Sequence, residues 1–357
     1  MKQAFARTAT IAWLESLTIR RDPVILAMIL LIPTLQIALF GYAIRPLGGE
    51  TTVVIARAEK VPAALDLLGD SDSFRVEADG ISREEALAQV RAQKALIALI
   101  VPSANSREAM TVYVDDTDPA RSDPALAKIE RHFWRRAAER VRTSPSEVRV
   151  ERLYNPERRN NWIITPSLSG VVVMISMLML GALAIVRERE RGTWEALLST
   201  PVSAAEAIIG KAFPYLLLGC AQALFVIGCS RVLFDLPLRG DLPAFGLFLA
   251  VFIFAHLVIG LTLSAAARSQ LQAVQAAVLV YLPSMLLSGF LFPFANMPRW
   301  AQRIGAVLPL TYYTEVARGV MLRGADAAFI HARTLPVAGI AFVAMLAAIL
   351  TFRRRLL

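Results

Sequence analysis

Six long runs of apolar residues constrain this chain more than any other feature. A helix needs about 20 apolar residues to cross a hydrocarbon core of roughly 30 Å. An apolar fraction of 56% also exceeds what the core of a soluble domain requires. The runs lie at about 24–44, 167–186, 212–230, 242–267, 270–297 and 335–352. They predict an α-helical membrane protein built on a six-span bundle.

The distribution of basic residues predicts the orientation of the bundle. Six spans place both termini on one side of the membrane, and the short segments on that side hold more Lys and Arg than those opposite. The positive-inside rule therefore predicts cytoplasmic termini, with 353–357 as a basic cytoplasmic tail. The net charge of +9 falls largely beside the spans, and no basic stripe with interleaved aromatic residues is present. Nucleic acid is thus excluded as a partner.

Residues 45–166, between the first two runs, predict an inserted α/β domain outside the cytoplasm. Short β-branched runs alternate there with helical patterns, and Ser82 and Glu85 have the spacing of a capping box. Three acidic residues, Asp115, Asp116 and Asp118, suggest either a cation site or a solvated helix-capping turn. The segment lacks the glycine and distal Glu of a calcium loop, which favours the turn.

The cytoplasmic loop 187–211 has a pattern of its own within the predicted five-span bundle of 167–352. Alternating charges end the second span and Gly192 offers a break. A short helix follows, with the apolar face Trp194, Leu197 and Leu198, and Pro201 cannot extend it. Ser203 and Glu206 then have capping-box spacing for the next helix. This helix either receives force from a soluble partner or packs on its own bundle; periodicity does not separate the two.

The same loop resembles the signature of type-2 ABC transporter permeases of the export class. The resemblance implies that the loop is the coupling helix that docks on a separate ATPase. The residues that it assigns to coupling are Glu188, Glu190, Gly192, Thr193, Trp194, Glu195, Leu197, Leu198, Thr200, Pro201, Gly210 and Lys211. The layout of one span, an outer domain and a five-span bundle is also similar to that family, in the subgroup with a large outer domain.

A second segment, 294–326, lies with its flank before the last span and resembles the corresponding part of the same family. Prolines interrupt a stretch that is too apolar for an ordinary loop, which predicts re-entrant helices at about 298–307 and 311–322. The alternative is a surface hairpin. The residues predicted to line the pathway or its outer gate are Ser288, Gly289, Phe290, Pro293, Met297, Pro298, Trp300, Pro309, Thr311 and Tyr312. Within the second helix, Glu315 and Arg318 have the spacing of an ion pair.

The N-terminal segment 1–23 predicts an amphipathic helix on the cytoplasmic surface of the membrane. Phe5, Ala9, Ala12, Trp13, Ser16 and Leu17 share one face, with Arg7 and Glu15 off it. Asp22 then caps the first span. In the family such a helix contacts the ATPase, although the residues alone fit a passive anchor equally well.

Four polar residues fall inside predicted spans. His256 either handles protons or substrate, or packs as a neutral side chain between helices. Gln222, Gln272 and Gln275 either line a pathway or join helices. Neither pair of alternatives can be separated from sequence.

Motifs for enzymatic chemistry are missing. Gly210-Lys211 lacks the earlier glycine and the following Ser or Thr of a phosphate-binding loop, and the three histidines form no metal motif. We therefore expect no ATPase activity, no cofactor and no metal in this chain, with ATP and Mg²⁺ bound by partner ATPase subunits.

The prediction is a permease subunit of an ATP-driven exporter in a bacterial inner membrane, moving a hydrophobic drug-like or lipid-like molecule outward. Its expected partners are ABC ATPase subunits, a second copy or a similar permease, and a periplasmic adaptor protein. The alternative is a membrane sensor with an extracytoplasmic ligand-binding domain. That reading leaves the 187–211 loop without a purpose.

Overall fold

A computed structural model describes most of the chain. The described residues are 2–36 except 24, 26, 28 and 32, then 51–57, 74–101, 111–117, 122, 125–127, 129, 149–155, 160–192 and 202–354. The chain divides into two compact units. One comprises 1–44, 164–291 and 299–357, and the other comprises 45–163 and 292–298.

The helical unit begins with α1, Lys2–Arg21, and continues along the chain with further helices. These are α3 (Asn160–Ala184), α4 (Val186–Glu190), α5 (Ala204–Phe234), α6 (Leu242–Ala266), α7 (Gln270–Leu287), α8 (Arg299–Gly305), α9 (Pro309–Arg318) and α10 (Ala327–Arg354). A π-helical turn, Gly319–Arg323, follows α9.

Five helices among the described residues are long and apolar enough to cross a membrane. They are Ile164–Glu190, Ala205–Phe234, Leu242–Ala266, Gln270–Leu287 and Ala327–Arg353. The first predicted span, 24–44, lies partly outside the described residues, so the count of six spans stays a prediction. The span predicted at 270–297 is wrong at its end. Its helix stops at Leu287, and Gly289 takes the left-handed conformation with φ +84°.

The other unit contains a five-stranded sheet with strand order β2-β1-β3-β4-β5. The strands are β1 (Thr51–Arg57), β2 (Phe74–Ile81), β3 (Ile97–Val101), β4 (Thr111–Asp115) and β5 (Arg149–Leu153), and the helix α2 (Arg83–Arg91) follows β2. The pairing of β3 with β4 is antiparallel and the other three pairings are parallel.

Successive side chains of a strand point to opposite faces of the sheet, and both faces of this sheet carry packed apolar residues. Val53, Ile55 and Val112 pack with the helical residues Ala125, Leu126 and Ile129 on one face. On the other face, Val54 and Tyr113 pack with Ala86 and Val90 of α2. The Ser82 hydroxyl accepts a hydrogen bond from the Glu85 amide, so the predicted start of α2 is confirmed.

The acidic residues at the end of β4, Asp115 and Asp116, form hydrogen bonds within the protein. Asp115 Oδ1 accepts hydrogen bonds from the amide and hydroxyl of Thr117, and Asp116 Oδ1 accepts one from the Ser122 hydroxyl. These bonds are those of a turn that leads into a helix. Asp118 lies outside the described residues.

Candidate functional site

The helix α1 docks closely on the start of α5, and Gly210 permits the approach. A Cβ atom at Gly210 would lie 2.9 Å from Ile11 Cβ and 3.0 Å from the Thr8 carbonyl oxygen. Arg7 of α1 also donates to Glu206 Oε1 at 2.9 Å. Glu206 is itself held by a complete capping box with Ser203, which confirms the predicted start of α5.

Lys211 lies at the centre of a buried polar cluster next to this contact. Its ammonium donates to Glu15 Oε2 of α1 at 3.1 Å and to Glu188 Oε1 of α4. The Tyr215 hydroxyl donates to the second oxygen of Glu15 at 2.6 Å. We call Glu15, Glu188, Lys211 and Tyr215 the lysine cluster. It joins three helices at one point, so they move together unless a buried ion pair breaks.

Side chains from two other elements fix the end of the second span. Ser264 of α6 accepts hydrogen bonds from the amides of Ile185 and Val186, where α3 gives way to α4. Arg187 donates to Asp22 Oδ2 at 2.7 Å, while Asp22 Oδ1 accepts from the Ile25 amide. The predicted cap at Asp22 therefore also ties α4 to the residues after α1.

The last turn of α4 is tied to the start of α7. Glu190 accepts a hydrogen bond from the Gln270 amide at 2.8 Å and another from its side chain. An anion at a helix N-terminus is favourable because the exposed amides carry partial positive charge. Gly192 has φ +74°, which confirms the break predicted there.

The predicted coupling helix itself lies outside the described residues. This applies to Thr193, Trp194, Glu195, Leu197, Leu198, Thr200 and Pro201. The described flanks nevertheless hold Glu188, Glu190, Gly210 and Lys211, and each has a defined packing or hydrogen-bonding position. The loop therefore joins two anchored helix ends.

The outer-gate residues predicted in the helical unit lie around the turn after α7 and the start of α9. Ser288 and Phe290 are buried, and Pro309 occupies the first turn of α9. Thr311 donates to the Gly305 carbonyl at 2.7 Å and Tyr312 to the Ala306 carbonyl at 2.8 Å, which closes α9 onto α8. Pro293, Met297 and Pro298 belong to the other unit, beside the 3-10 turn Phe294–Asn296.

The short helix α8 presents an apolar face to its surroundings. Trp300, Ile304 and Val307 were predicted to share one face of a helix at 298–307, and they are 64%, 45% and 63% exposed. The helix ends at Gly305, so Val307 lies beyond it and the predicted helix is wrong at that end. Glu315 of α9 pairs with Arg333 of α10 at 3.3 Å. The sequence analysis predicted an ion pair between Glu315 and Arg318, because the spacing within one helix was the only information available.

Tyr313, which the sequence did not single out, fills the centre of the helical unit. Its ring lies against Phe252, with 4.5 Å between centroids, and its hydroxyl is 2.8 Å from Ser169 Oγ. A Cβ at Gly170 would come within 2.1 Å of the Tyr313 ring. The absence of a side chain at Gly170 therefore makes room for this tyrosine.

The polar residues predicted inside the spans have different surroundings. His256 is buried and its Nδ1 lies 3.0 Å from the Phe252 carbonyl oxygen of its own helix. Gln222 donates to Ser176 at 2.8 Å, which joins α5 to α3. Gln272 accepts from the Arg268 amide in the first turn of α7, and Gln275 is exposed. The structure does not bring these four residues together.

Several residues of these contacts were not among the predicted site residues, including Glu15, Asp22, Arg187, Tyr215 and Tyr313. The pairing of Glu15 with Lys211 could have been suggested from sequence. Glu15 lies off the apolar face of α1, Lys211 lies near the start of an apolar helix, and a buried charge needs a partner. Tyr313 gave no signal that distinguished it from Tyr312.

The apolar helices and the anchored loop between two of them define a membrane protein that spans the bilayer several times. Residues 23–351 match the family model described as ABC-2 family transporter protein, and the chain belongs to that family. The permease resemblance inferred from the two motifs is thereby confirmed.

Several curated proteins are similar to the chain. The probable multidrug ABC transporter permease YbhR of Escherichia coli (strain K12) is 26% identical, over 99% of this chain and 100% of the relative. The probable multidrug ABC transporter permease YbhS of the same organism is 28% identical, over 87% of each chain. The inner membrane transport permease YhhJ, also of that strain, is 32% identical over 51% of this chain and 49% of the relative.

Proposed function

We propose that this chain is the permease subunit of an ABC exporter that moves a hydrophobic small molecule out of the cytoplasm or the inner membrane. The observation that carries the proposal is the lysine cluster. It ties α1, the end of the second span and the start of the third into one junction at both flanks of the 193–201 loop. Two relatives are probable multidrug ABC transporter permeases, which supports the hydrophobic substrate class.

In this proposal the loop docks on a separate ATPase that binds ATP and Mg²⁺. Movement of the ATPase pulls the loop, and the lysine cluster passes that movement to α1 and to both spans together. The chain works with a second copy of itself or a similar permease, because one loop engages only one half of an ATPase dimer. Its termini face the cytoplasm and the sheet unit faces outward. We do not extend the proposal to a periplasmic adaptor, since nothing in the described part of the sheet unit points to one.

Substitutions in the loop test the coupling role directly. Glu195→Ala with Leu198→Ala removes a charge and an apolar anchor from the predicted coupling helix. We expect transport and transport-stimulated ATP hydrolysis in the reconstituted complex to fall by about tenfold or more, the factor for about 1.4 kcal/mol of lost coupling.

The matched control is Glu84→Ala with Leu279→Ala. Glu84 is exposed in the sheet unit and Leu279 is 74% exposed on α7. This pair should leave both activities unchanged. Normal transport and ATPase stimulation in the loop variant, with normal membrane insertion, would show that the loop does not couple the two subunits.

A further inference from the structure

The short helix α8 has one half that packs on the protein and one half that faces outward. Ala301 and Gly305 are buried within the helical unit. Four of its residues are exposed: Arg299, Trp300, Arg303 and Ile304. At about 100° per residue, these four occupy one half of the circumference and the two buried residues lie on the other.

Hydrogen bonds from α9 fix which half of α8 faces outward. The Thr311 hydroxyl donates to the Gly305 carbonyl at 2.7 Å, and the Tyr312 hydroxyl donates to the Ala306 carbonyl at 2.8 Å. These two bonds hold the end of α8 against the start of α9. The outward half is therefore a defined surface of the helical unit.

Basic and apolar side chains are separated within this outward half. Arg299 and Arg303 are four positions apart and lie side by side, and the same spacing places Trp300 beside Ile304. Helices at a membrane surface have this division, with the apolar side at the boundary of the acyl chains and the basic side at the head groups. Tryptophan is also enriched at that depth, because its ring is apolar and its N–H is polar.

The charge of α8 is not balanced by its own part of the chain. The stretch 242–314 contains no Asp or Glu. The next acidic residue, Glu315, pairs with Arg333 of α10. A guanidinium binds phosphate oxygens through paired N–H groups, so two adjacent exposed guanidiniums complement an anionic phosphate surface.

We propose that the outward half of α8 docks on the membrane surface and binds the phosphate groups of anionic phospholipids, such as phosphatidylglycerol. Arg299 and Arg303 contact the phosphates, while Trp300 and Ile304 lie at the start of the acyl chains. A zwitterionic lipid binds less well because its own ammonium opposes the two arginines. In the proposed orientation the leaflet is the outer one, since α7 begins beside α4 and α8 follows the other end of α7. Trp300 then faces lipid, whereas the sequence analysis assigned it to the pathway or its outer gate.

Fluorescence quenching by brominated lipids tests this contact in nanodiscs that hold the full-length chain. Each nanodisc contains phosphatidylglycerol and phosphatidylcholine in equal amounts, with bromine on only one of the two lipids. The chain has five tryptophans, so the quenching lost in Trp300→Phe isolates the part due to Trp300. We expect the lipid beside Trp300 to be phosphatidylglycerol in preference by about tenfold, because each arginine near a membrane surface attracts anionic lipid.

Arg299→Gln with Arg303→Gln removes the two guanidiniums and retains the apolar side of α8. This variant should show quenching of Trp300 by both lipids to a similar extent. The matched control is Arg91→Gln with Arg231→Gln, which removes the same charge at exposed positions outside α8 and should keep the preference.

Three results would overturn the proposal. The first is equal quenching by the two lipids in the wild-type chain, and the second is a preference that survives the loss of both α8 arginines. The third is the absence of quenching at Trp300 by either lipid, which would show that a second copy or another protein surface covers α8. The measurement needs neither ATPase nor transport, so its result is independent of the proposed function.

Discussion

At the scale of single residues, Lys211 is a buried cation of the helical unit. This side chain is 3% exposed and meets two carboxylates from different helices. Desolvation of an ammonium costs several kcal/mol, and nearby carboxylates offset that cost only while all the groups remain in place. If one of the three helices moves, the contacts of the lysine cluster persist only if the other two helices move with it.

Loss of the ammonium should destabilise the chain strongly. Lys211→Met leaves Glu15 and Glu188 without their cation, and breaking a buried pair in this way costs about 3–5 kcal/mol. We expect a lower thermal unfolding midpoint for the purified protein. Adding Glu15→Gln to this variant should recover part of the loss, because one uncompensated carboxylate is removed.

Lys94→Met is the control for this experiment, since Lys94 is exposed in the sheet unit. An unchanged midpoint for Lys211→Met, or a double variant less stable than the single one, would contradict the assigned role of the ammonium.

At the scale of helices, α3 and α6 cross so closely that only glycine fits at the contact. A Cβ at Gly181 would lie 2.4 Å from the Leu257 carbonyl oxygen, and one at Gly260 would lie 2.5 Å from that of Leu178. Small residues permit this approach in membranes, where helix association depends on packing because lipid is as apolar as the side chains. The neighbouring Ser264 then reaches the amides at the α3–α4 junction.

Alanine substitutions at two glycines of α6 should distinguish the effect of close helix packing from the effect of helix propensity. Gly260→Ala forces backbone against backbone and should destabilise the chain by about 1–3 kcal/mol. Gly246→Ala, in the same helix, meets nothing within 4 Å and should be neutral or stabilise by up to about 1 kcal/mol. Thermal unfolding in one detergent compares them. Equal effects at the two positions would argue against a close α3–α6 crossing.

At the scale of the whole molecule, several spans leave apolar faces uncovered. Leu224 and Val232 of α5 are 68% and 81% exposed, and Leu335 and Phe342 of α10 are 76% and 64% exposed. Apolar surface of this extent is covered by lipid or by another subunit. Closed two-fold symmetry is the commonest arrangement for identical chains.

Co-expression of two differently tagged copies tests the expected pairing. We expect purification through one tag to recover both in equal amounts, with an intact mass equal to two copies. An unrelated permease carrying the second tag serves as the control and should not co-purify. Recovery of a single tagged species would contradict a homodimer and favour pairing with a different permease.

The sequence by itself determined the features that depend on neighbouring residues. Long apolar runs predict membrane helices because their length must match the bilayer. The caps at Ser82, Asp22 and Ser203 and the break at Gly192 followed from local backbone chemistry, and each is present in the structure. Two motifs were also sufficient to indicate the family to which the chain belongs.

Only the tertiary structure decided which side chains meet. Glu15 and Lys211 are separated by 196 positions, and no local pattern links a carboxylate in one helix to an ammonium in another. Tyr312 and Tyr313 are adjacent in sequence, yet only Tyr313 enters the core, because the space left at Gly170 and the rings of α6 select one face of α9. Helix faces are chosen by the packing of all the helices together. For that reason the coupling loop was predicted from sequence, whereas the lysine cluster that anchors it was not.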